Sequence, residues 1–159
     1  MKDFYNSEWI NIDSNFIHRT AIIGEGVTLG KGNIIYPYAV VGVRGAIRND
    51  LETTSRVVIG NNNRIFDHSS IKHNVTIGDA NLVMSYVNIG HDTTISNDNE
   101  IGANSIICGH VIVGNGNKIK VGSLIRNRVD IGNYTTIGMG SVVLHSVKDN
   151  STVFGNPAK

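Results

Sequence analysis

Histidine is the residue type in this chain that can move protons near neutral pH, and the sequence contains six of them. One of these, His91, is followed directly by the carboxylate of Asp92, and another, His110, is preceded by Gly109. A carboxylate can fix the tautomer of a neighbouring imidazole, and a glycine N–H can face the oxyanion of a tetrahedral intermediate. These residue types are the parts that an acyl transfer needs.

A six-residue repeat decides whether those residues meet. Stepping by six from Ile17 to Val143 gives an aliphatic residue at 21 of 22 positions, and glycine often follows it. Neither a helical period nor simple strand alternation fits this spacing, so each unit is predicted to be a short strand plus a turn. The composition agrees, because 22 Ile and 17 Val against 5 Leu favour strands over helices.

A second period of 18 residues predicts a triangular prism. Columns of like residues recur at this spacing, namely Asn63, Asn81, Asn99 and Asn117, then Ser69, Ser105, Ser123 and Ser141, then Val57, Val75, Val111, Val129 and Val147. Three hexads therefore form one coil, and the 22 hexads form about seven coils, each roughly 4.8 Å high. We expect an interior filled with aliphatic side chains, with any chemistry on the outside.

This pattern resembles the hexapeptide signature of the left-handed parallel β-helix, so we predict a single all-β domain over residues 17–147. Residues 1–16 form a leader, whose Phe4, Tyr5, Trp9 and Phe16 are expected to cap the open end. Residues 148–159 form a tail. Residues 42–58 are polar and charged, which predicts one loop that leaves the prism.

The 18-residue register places the chemical groups together. Gly109 is predicted one strand spacing above His91, and His110 the same distance above Asp92. The column of His91 runs through His73, His91, Gly109, Asn127 and His145. The geometry of the repeat therefore predicts one histidine site at a corner of the prism.

The segment NLVMSYVNIGHDTTISNDNEIGANSIICGHVIVG, residues 81–114, resembles the catalytic region of hexapeptide-repeat sugar acyltransferases. It is similar to the UDP-N-acetylglucosamine acyltransferases of lipid A synthesis and to nucleotide-sugar acetyltransferases of the sialic acid and bacillosamine type. The resemblance implies that His91 is the general base, that Asp92 orients it, and that the Gly109 N–H binds the oxyanion. The residues expected to bind substrate are His73, His110 and Asp50.

The two relatives differ in the acyl donor. Residues 35–65, which include Asp50, resemble the lipid A enzyme, whose donor is acyl carrier protein. Residues 129–159 resemble the closing segment of acetyltransferases that use coenzyme A. In LIRNRVDIG, Arg126 stands near a histidine that lines the acyl groove of the lipid A family, and a guanidinium is a poor lining for a long fatty chain. We therefore predict acetyl-CoA as donor, with the lipid A type as the alternative.

Basic residues collect in the coils beyond the catalytic register, where they could meet coenzyme A phosphates or an acidic carrier protein. The predicted cofactor-binding residues are Lys118, Arg126, Arg128, Gly138 and Lys148. The alternative is that these basic residues form a solvent-exposed surface that only keeps the protein soluble. The acceptor is predicted to be an amino or hydroxyl group of a nucleotide-linked sugar.

Two other functions stay open. The γ-class carbonic anhydrases use the same helix with a zinc ion held by three histidines, but Ser96 stands where one ligand of their IGH motif would lie, so no metal is expected. The other is a β-helix that serves as a noncatalytic scaffold. Such a protein would not need the pairs His91–Asp92 and Gly109–His110, so these residues weigh against it. The single cysteine, Cys108, has no motif that would activate its thiol, and we predict that it only packs within the fold.

Composition sets the remaining expectations. A net charge of +1 gives no reason to expect nucleic acid, and no run approaches the roughly 20 apolar residues of a membrane span. One cysteine and no recognisable signal peptide predict a cytoplasmic protein. The resemblance implies a homotrimer with its site between adjacent prisms, since one flat face cannot form a deep cleft.

Overall fold

The computed structural model describes residues 8–42 and 56–159, and every regular element in those residues is a strand. The strands are β1 (Trp9–Ile12), β2 (Asn15–His18), β3 (Ile22–Ile23), β4 (Val27–Leu29), β5 (Ile34–Ile35), β6 (Val40–Val41), β7 (Val57–Ile59), β8 (Arg64–Ile65), β9 (Ser70–Ile71), β10 (Thr76–Ile77), β11 (Leu82–Val83), β12 (Asn88–Ile89), β13 (Thr94–Ile95), β14 (Glu100–Ile101), β15 (Ile106–Ile107), β16 (Ile112–Val113), β17 (Lys118–Ile119), β18 (Leu124–Ile125), β19 (Asp130–Ile131), β20 (Thr136–Ile137), β21 (Val142–Val143) and β22 (Thr152–Val153). Each of the repeated units is a short strand followed by a turn, as the six-residue period predicts.

The strands form three sheets, one for each side of a prism, and all pairings between named strands are parallel except that of β1 with β2. The first has nine strands in the order β1-β2-β5-β8-β11-β14-β17-β20-β22. The second has the six strands β19-β16-β13-β10-β7-β4, and the third has the seven strands β21-β18-β15-β12-β9-β6-β3. From β2 to β21 every third strand along the chain joins the same sheet, so three hexads make one coil of a β-solenoid with about seven coils.

The register between coils is 18 residues, and it changes in two places. Ile89 pairs with Ile107, and Ile77 pairs with Ile95. Ile35, however, pairs with Ile65, and Asn33 bonds Asn63 across 30 residues of sequence. The extra twelve residues equal two hexads, so the six-residue phase continues unchanged while the coil register does not. This longer step falls within the predicted loop at 42–58. Residues 43–55 of that loop, which include Asp50, lie outside the described part of the chain, and so do the predicted capping residues Phe4 and Tyr5.

Near the C-terminal end the register shortens to 16, where Ile137 pairs with Val153 and Ile131 bridges Val147, so Val147 leaves the predicted 18-residue column.

The interior differs from the expected all-aliphatic filling. One inward position per hexad is aliphatic and almost fully buried, as at Ile89 and Ile107. The other inward position, two residues earlier, is polar throughout the asparagine column and mostly serine in a second column, which also holds Ala39 and Val87. The Asn81 amide donates to the Asn63 side-chain oxygen at 3.1 Å and to the Ser96 carbonyl at 2.8 Å, and its own oxygen accepts the Asn99 N–H at 2.9 Å. Buried asparagines thus satisfy corner backbone groups that an aliphatic side chain would leave unpaired.

Both ends of the solenoid carry an additional strand. At the N-terminal end β1 pairs antiparallel with β2, and Trp9 packs edge-on against His18 and Tyr36. At the other end β22 pairs with β20, and Ala158 packs against the core. The predicted leader and tail therefore extend the sheets in their described residues. Within those residues there is no helix long and apolar enough to cross a bilayer.

Candidate active site

The central feature of the site is the turn His91–Asp92, which follows β12 at one corner of the prism. The imidazole Nδ1 of His91 lies 2.6 Å from Oδ2 of Asp92, a short charge-assisted hydrogen bond. Asp92 adopts the left-handed backbone conformation, with φ of 55°. Aspartate tolerates this conformation better than most residues, which is why a carboxylate fits at this corner position.

The charge on Asp92 fixes the tautomer of His91. Burial raises the pKa of Asp92, but hydrogen bonds from His91 and Asn74, together with the nearby imidazoles of His91 and His110, hold it below its ordinary value. The carboxyl group is therefore ionised at neutral pH and can only accept a hydrogen bond. In the neutral imidazole of His91, Nδ1 is therefore the donor and Nε2 carries the free lone pair.

Gly109 lies directly above the His91 ring, as the 18-residue register predicts. A Cβ atom built on Gly109 would lie 2.9 Å from Nε2 of His91 and 3.0 Å from its Cε1. Gly109 is itself buried, and its missing side chain is what leaves room for the His91 ring. The amide N–H of Gly109 donates to no acceptor among the described residues, whereas the Asn97 N–H at another corner donates to the Asn115 side chain at 3.1 Å.

The two other predicted histidines flank this pair. His73 is buried, 7% exposed, and its ring is parallel to that of His91, with 3° between the planes and 5.3 Å between the centroids. His110 packs edge-on against His91 at 5.1 Å, and its Nε2 lies 3.8 Å from Oδ2 of Asp92. Only His110 of these two is exposed, and the predicted contact of both with substrate stays a prediction.

The predicted cofactor residues divide between faces of the prism. Arg126 and Arg128 line a surface cavity of about 500 Å³ together with His145, in the coils above Gly109. Lys118 lies on β17 of the nine-stranded sheet and Gly138 directly after β20 of that sheet, where the Cβ of Phe154 covers it. Lys148 follows a bridge to β19 of the six-stranded sheet. One chain therefore brings together only the two arginines of the predicted set.

The sequence analysis did not single out Asn74. Its side-chain amide donates to Oδ1 of Asp92 at 3.2 Å, so it holds the carboxylate oxygen that His91 leaves free. The signal that could have found it is the register itself, because Asn74 lies 18 residues before Asp92.

The side chains of His73, His91 and Asp92 could also hold a metal ion, since they offer ligand atoms within 4.8 Å of one another. The stacked imidazole rings have parallel planes, so their nitrogen lone pairs do not converge on one point between them. Cys108, next to Gly109, is half-buried, and burial raises the pKa of its thiol, which is the opposite of activation.

Comparisons with known proteins define the class of this fold. The solved UDP-N-acetylglucosamine acyltransferase of Bacteroides fragilis superposes with a TM-score of 0.85 and 26% identity, covering 92% of this chain and 60% of its own. The Arabidopsis UDP-N-acetylglucosamine acyltransferase superposes with a TM-score of 0.75 and 26% identity, covering 92% of this chain and 71% of its own. These neighbours confirm the predicted left-handed β-helix and the resemblance to hexapeptide-repeat acyltransferases.

Two further comparisons are more partial. A perosamine N-acetyltransferase of Caulobacter crescentus, solved with CoA and GDP-perosamine, shares the fold at a TM-score of 0.60 and 24% identity, over 91% of this chain and 55% of its own. A curated acyl-(acyl-carrier-protein)–UDP-N-acetylglucosamine O-acyltransferase of Rickettsia canadensis (strain McKiel) is 39% identical over 61 residues, which is 35% of this chain and 23% of that protein. No protein-family model matches the chain. The matched segment thus spans less than a quarter of that curated protein.

Proposed function

We propose that this protein is an acyltransferase that uses His91 as general base, and that it transfers acetyl from acetyl-CoA to an amino or hydroxyl group of a nucleotide-linked sugar. One observation carries the proposal: His91 bonds Asp92 through Nδ1 at 2.6 Å, while its Nε2 lies against Gly109, 2.9 Å from the position a Cβ would take there. A base whose tautomer is fixed, beside a backbone N–H without an acceptor, is suited to attack on a thioester.

The proposed reaction balances without a covalent enzyme intermediate. His91 Nε2 removes the proton from the acceptor hydroxyl or amine as that group attacks the thioester carbonyl. The Gly109 N–H donates a hydrogen bond to the oxyanion that forms. The carbon–sulfur bond then breaks, and the leaving thiolate takes the proton from the His91 imidazolium, which Asp92 has stabilised.

The choice of donor rests on the cavity above the dyad. Arg126 and Arg128 give it two fixed positive charges, which suit the phosphates of coenzyme A. The same charges disfavour a long fatty chain, which would have to desolvate them. The alternative donor, an acyl group on carrier protein, would also meet this basic surface through its acidic side chains.

The donor and the base are tested with one assay. Thiol release is measured with acetyl-CoA, and acyl transfer is measured with acylated carrier protein, each against a panel of UDP- and GDP-linked amino sugars and sugars. We expect turnover with acetyl-CoA, and we expect His91→Ala to reduce it by about 10²- to 10⁴-fold with an unchanged circular dichroism spectrum. Turnover only with the carrier protein would overturn acetyl-CoA as donor, and an unchanged rate in His91→Ala would overturn the base.

Assembly belongs to the same proposal. The dyad lies on a convex corner, so a deep cleft requires a second surface, and a neighbouring copy of the chain in a homotrimer would supply it. Sedimentation equilibrium is expected to give three times the 17.2 kDa chain mass. A monomeric protein that is fully active would contradict this assembly.

A further inference from the structure

We infer that the turn His73–Asn74, one coil below the dyad, is a positioning element that holds the His91 ring from beneath and the Asp92 carboxylate from the side. Both residues would act through the dyad instead of contacting substrate. The inference rests on the proposed function only in taking His91 as the base. The contacts themselves can be tested without any turnover.

His73 contributes the face of its ring. Its ring lies 3° from parallel with that of His91, and the side chain is 7% exposed, so it has little surface left for a ligand. Its Nδ1 is buried and has no hydrogen-bond partner among the described residues. What His73 offers the site is therefore the flat support under His91, which another aromatic ring can also provide.

Asn74 fixes the second oxygen of the carboxylate. Oδ2 of Asp92 accepts the His91 Nδ1–H at 2.6 Å, and Oδ1 accepts the Asn74 amide at 3.2 Å. With both oxygens held, the carboxylate cannot rotate away from the imidazole. The backbone supports this arrangement, since the Asp92 N–H donates to the His73 carbonyl at 3.3 Å.

The two contacts restrict different motions of the same base. The ring of His73 blocks movement of His91 away from Gly109, and Asn74 blocks rotation of the group that sets the His91 tautomer. A displacement of about 1 Å in a catalytic group can cost about 10²-fold in rate. Loss of either contact should therefore reduce turnover more than it affects binding.

The test reads the tautomer of His91 directly. Full-length protein labelled with ¹⁵N-histidine is examined by long-range ¹H–¹⁵N correlation spectra, with His91 assigned by its absence in His91→Gln. We expect a single Nδ1–H tautomer in the native protein and in His73→Phe, which keeps the ring. We expect averaged tautomers in His73→Leu, where the unsupported ring can move out of its bond to Asp92. We expect the same in Asn74→Gly, which keeps the left-handed φ of 55° without the amide.

Asn104→Gly is the matched control. Asn104 has φ of 58° at another corner, and its side chain has no hydrogen-bond partner in residues 8–42 and 56–159, so the substitution removes an equivalent amide remote from the dyad. Its spectrum should equal that of the native protein. A fixed Nδ1–H tautomer in both His73→Leu and Asn74→Gly would overturn the inference, as would averaging in the Asn104→Gly control.

Kinetics with acetyl-CoA and the best acceptor provide the second readout. His73→Leu and Asn74→Gly should lower kcat by about 10- to 100-fold with KM changed less than about threefold. His73→Phe should restore most of kcat. If the native protein shows no acyl transfer while the tautomer changes occur as described, the proposed function fails and the positioning role stands.

Discussion

Gly109→Ala isolates the geometry of the proposed site from the stability of the fold. The added Cβ would lie 2.9 Å from Nε2 of His91, about 0.5 Å inside the roughly 3.4 Å at which ordinary van der Waals contact begins. The backbone of Gly109 does not have a positive φ, so alanine adds no conformational strain. Outside the two neighbouring residues in the chain, the three atoms nearest to the new methyl all belong to the His91 ring, which must therefore move.

The His91 ring has few directions in which to move. The ring of His73 lies beneath it at 5.3 Å, and the bond to Asp92 holds its other edge. We expect a displacement of about half an ångström and a new methyl group over the basic nitrogen, which together should lower kcat/KM by about 10- to 100-fold. This corresponds to about 1.4 to 2.8 kcal/mol of transition-state stabilisation.

Gly90→Ala is the contrasting variant. Its Cβ would lie 2.6 Å from the backbone carbon of Cys108 and from the backbone nitrogen of Gly109, and these atoms cannot yield as a side chain can. We expect a large fall in melting temperature for Gly90→Ala and a small one for Gly109→Ala, measured by thermal denaturation beside the acyl transfer assay. Full activity in Gly109→Ala, or equal destabilisation of the two variants, would refute the reasoning.

Three further predictions concern charge and polar packing. Asp92→Asn should make the free energy of unfolding depend less on pH in the acid range, measured by urea denaturation between about pH 2 and 6. The pKa of Asp92 is depressed in the folded protein, so its stabilising effect is present above the pKa of the unfolded chain and is lost as pH falls through the folded value. Asn99→Ala should cost about 2 to 4 kcal/mol in urea denaturation, because it removes the side-chain amide that donates to Asn81 and the side-chain oxygen that accepts the Asn117 N–H. A loss below about 0.5 kcal/mol would contradict the ladder's role. Replacing Arg126 and Arg128 together with alanine should raise KM for acetyl-CoA about tenfold with little change in kcat and should weaken its salt dependence; an unchanged KM would remove the cavity from the donor site.

The sequence predicted the fold because the repeat leaves few alternatives. An aliphatic residue every six positions cannot line one face of a helix or of a long strand, and the 18-residue columns set both the number of sides and the neighbours of each residue. The pairing of Ile89 with Ile107 and the position of Gly109 above His91 follow from that register alone.

The same period hid the register step between Ile35 and Ile65. Because the additional residues amount to two whole hexads, the aliphatic phase gives no sign of the change, and the polar composition of residues 42–58 was the only indication. The polar interior was also missed. From the sequence alone, an asparagine that recurs every 18 residues is predicted to lie at a corner of the prism. Only its burial and its hydrogen bonds in the structure show that its side chain points inward.

For the site, the sequence determined which residues share a corner, since stacking one coil on the next is fixed by the spacing of the repeat. Tertiary structure decided how their side chains use that proximity. The left-handed turn at Asp92 directs the carboxylate to Nδ1, Asn74 holds its other oxygen, and His73 lies buried beneath the ring. Register places Cα atoms, whereas side-chain rotation depends on the atoms around each group, and those neighbours exist only once the coils are stacked.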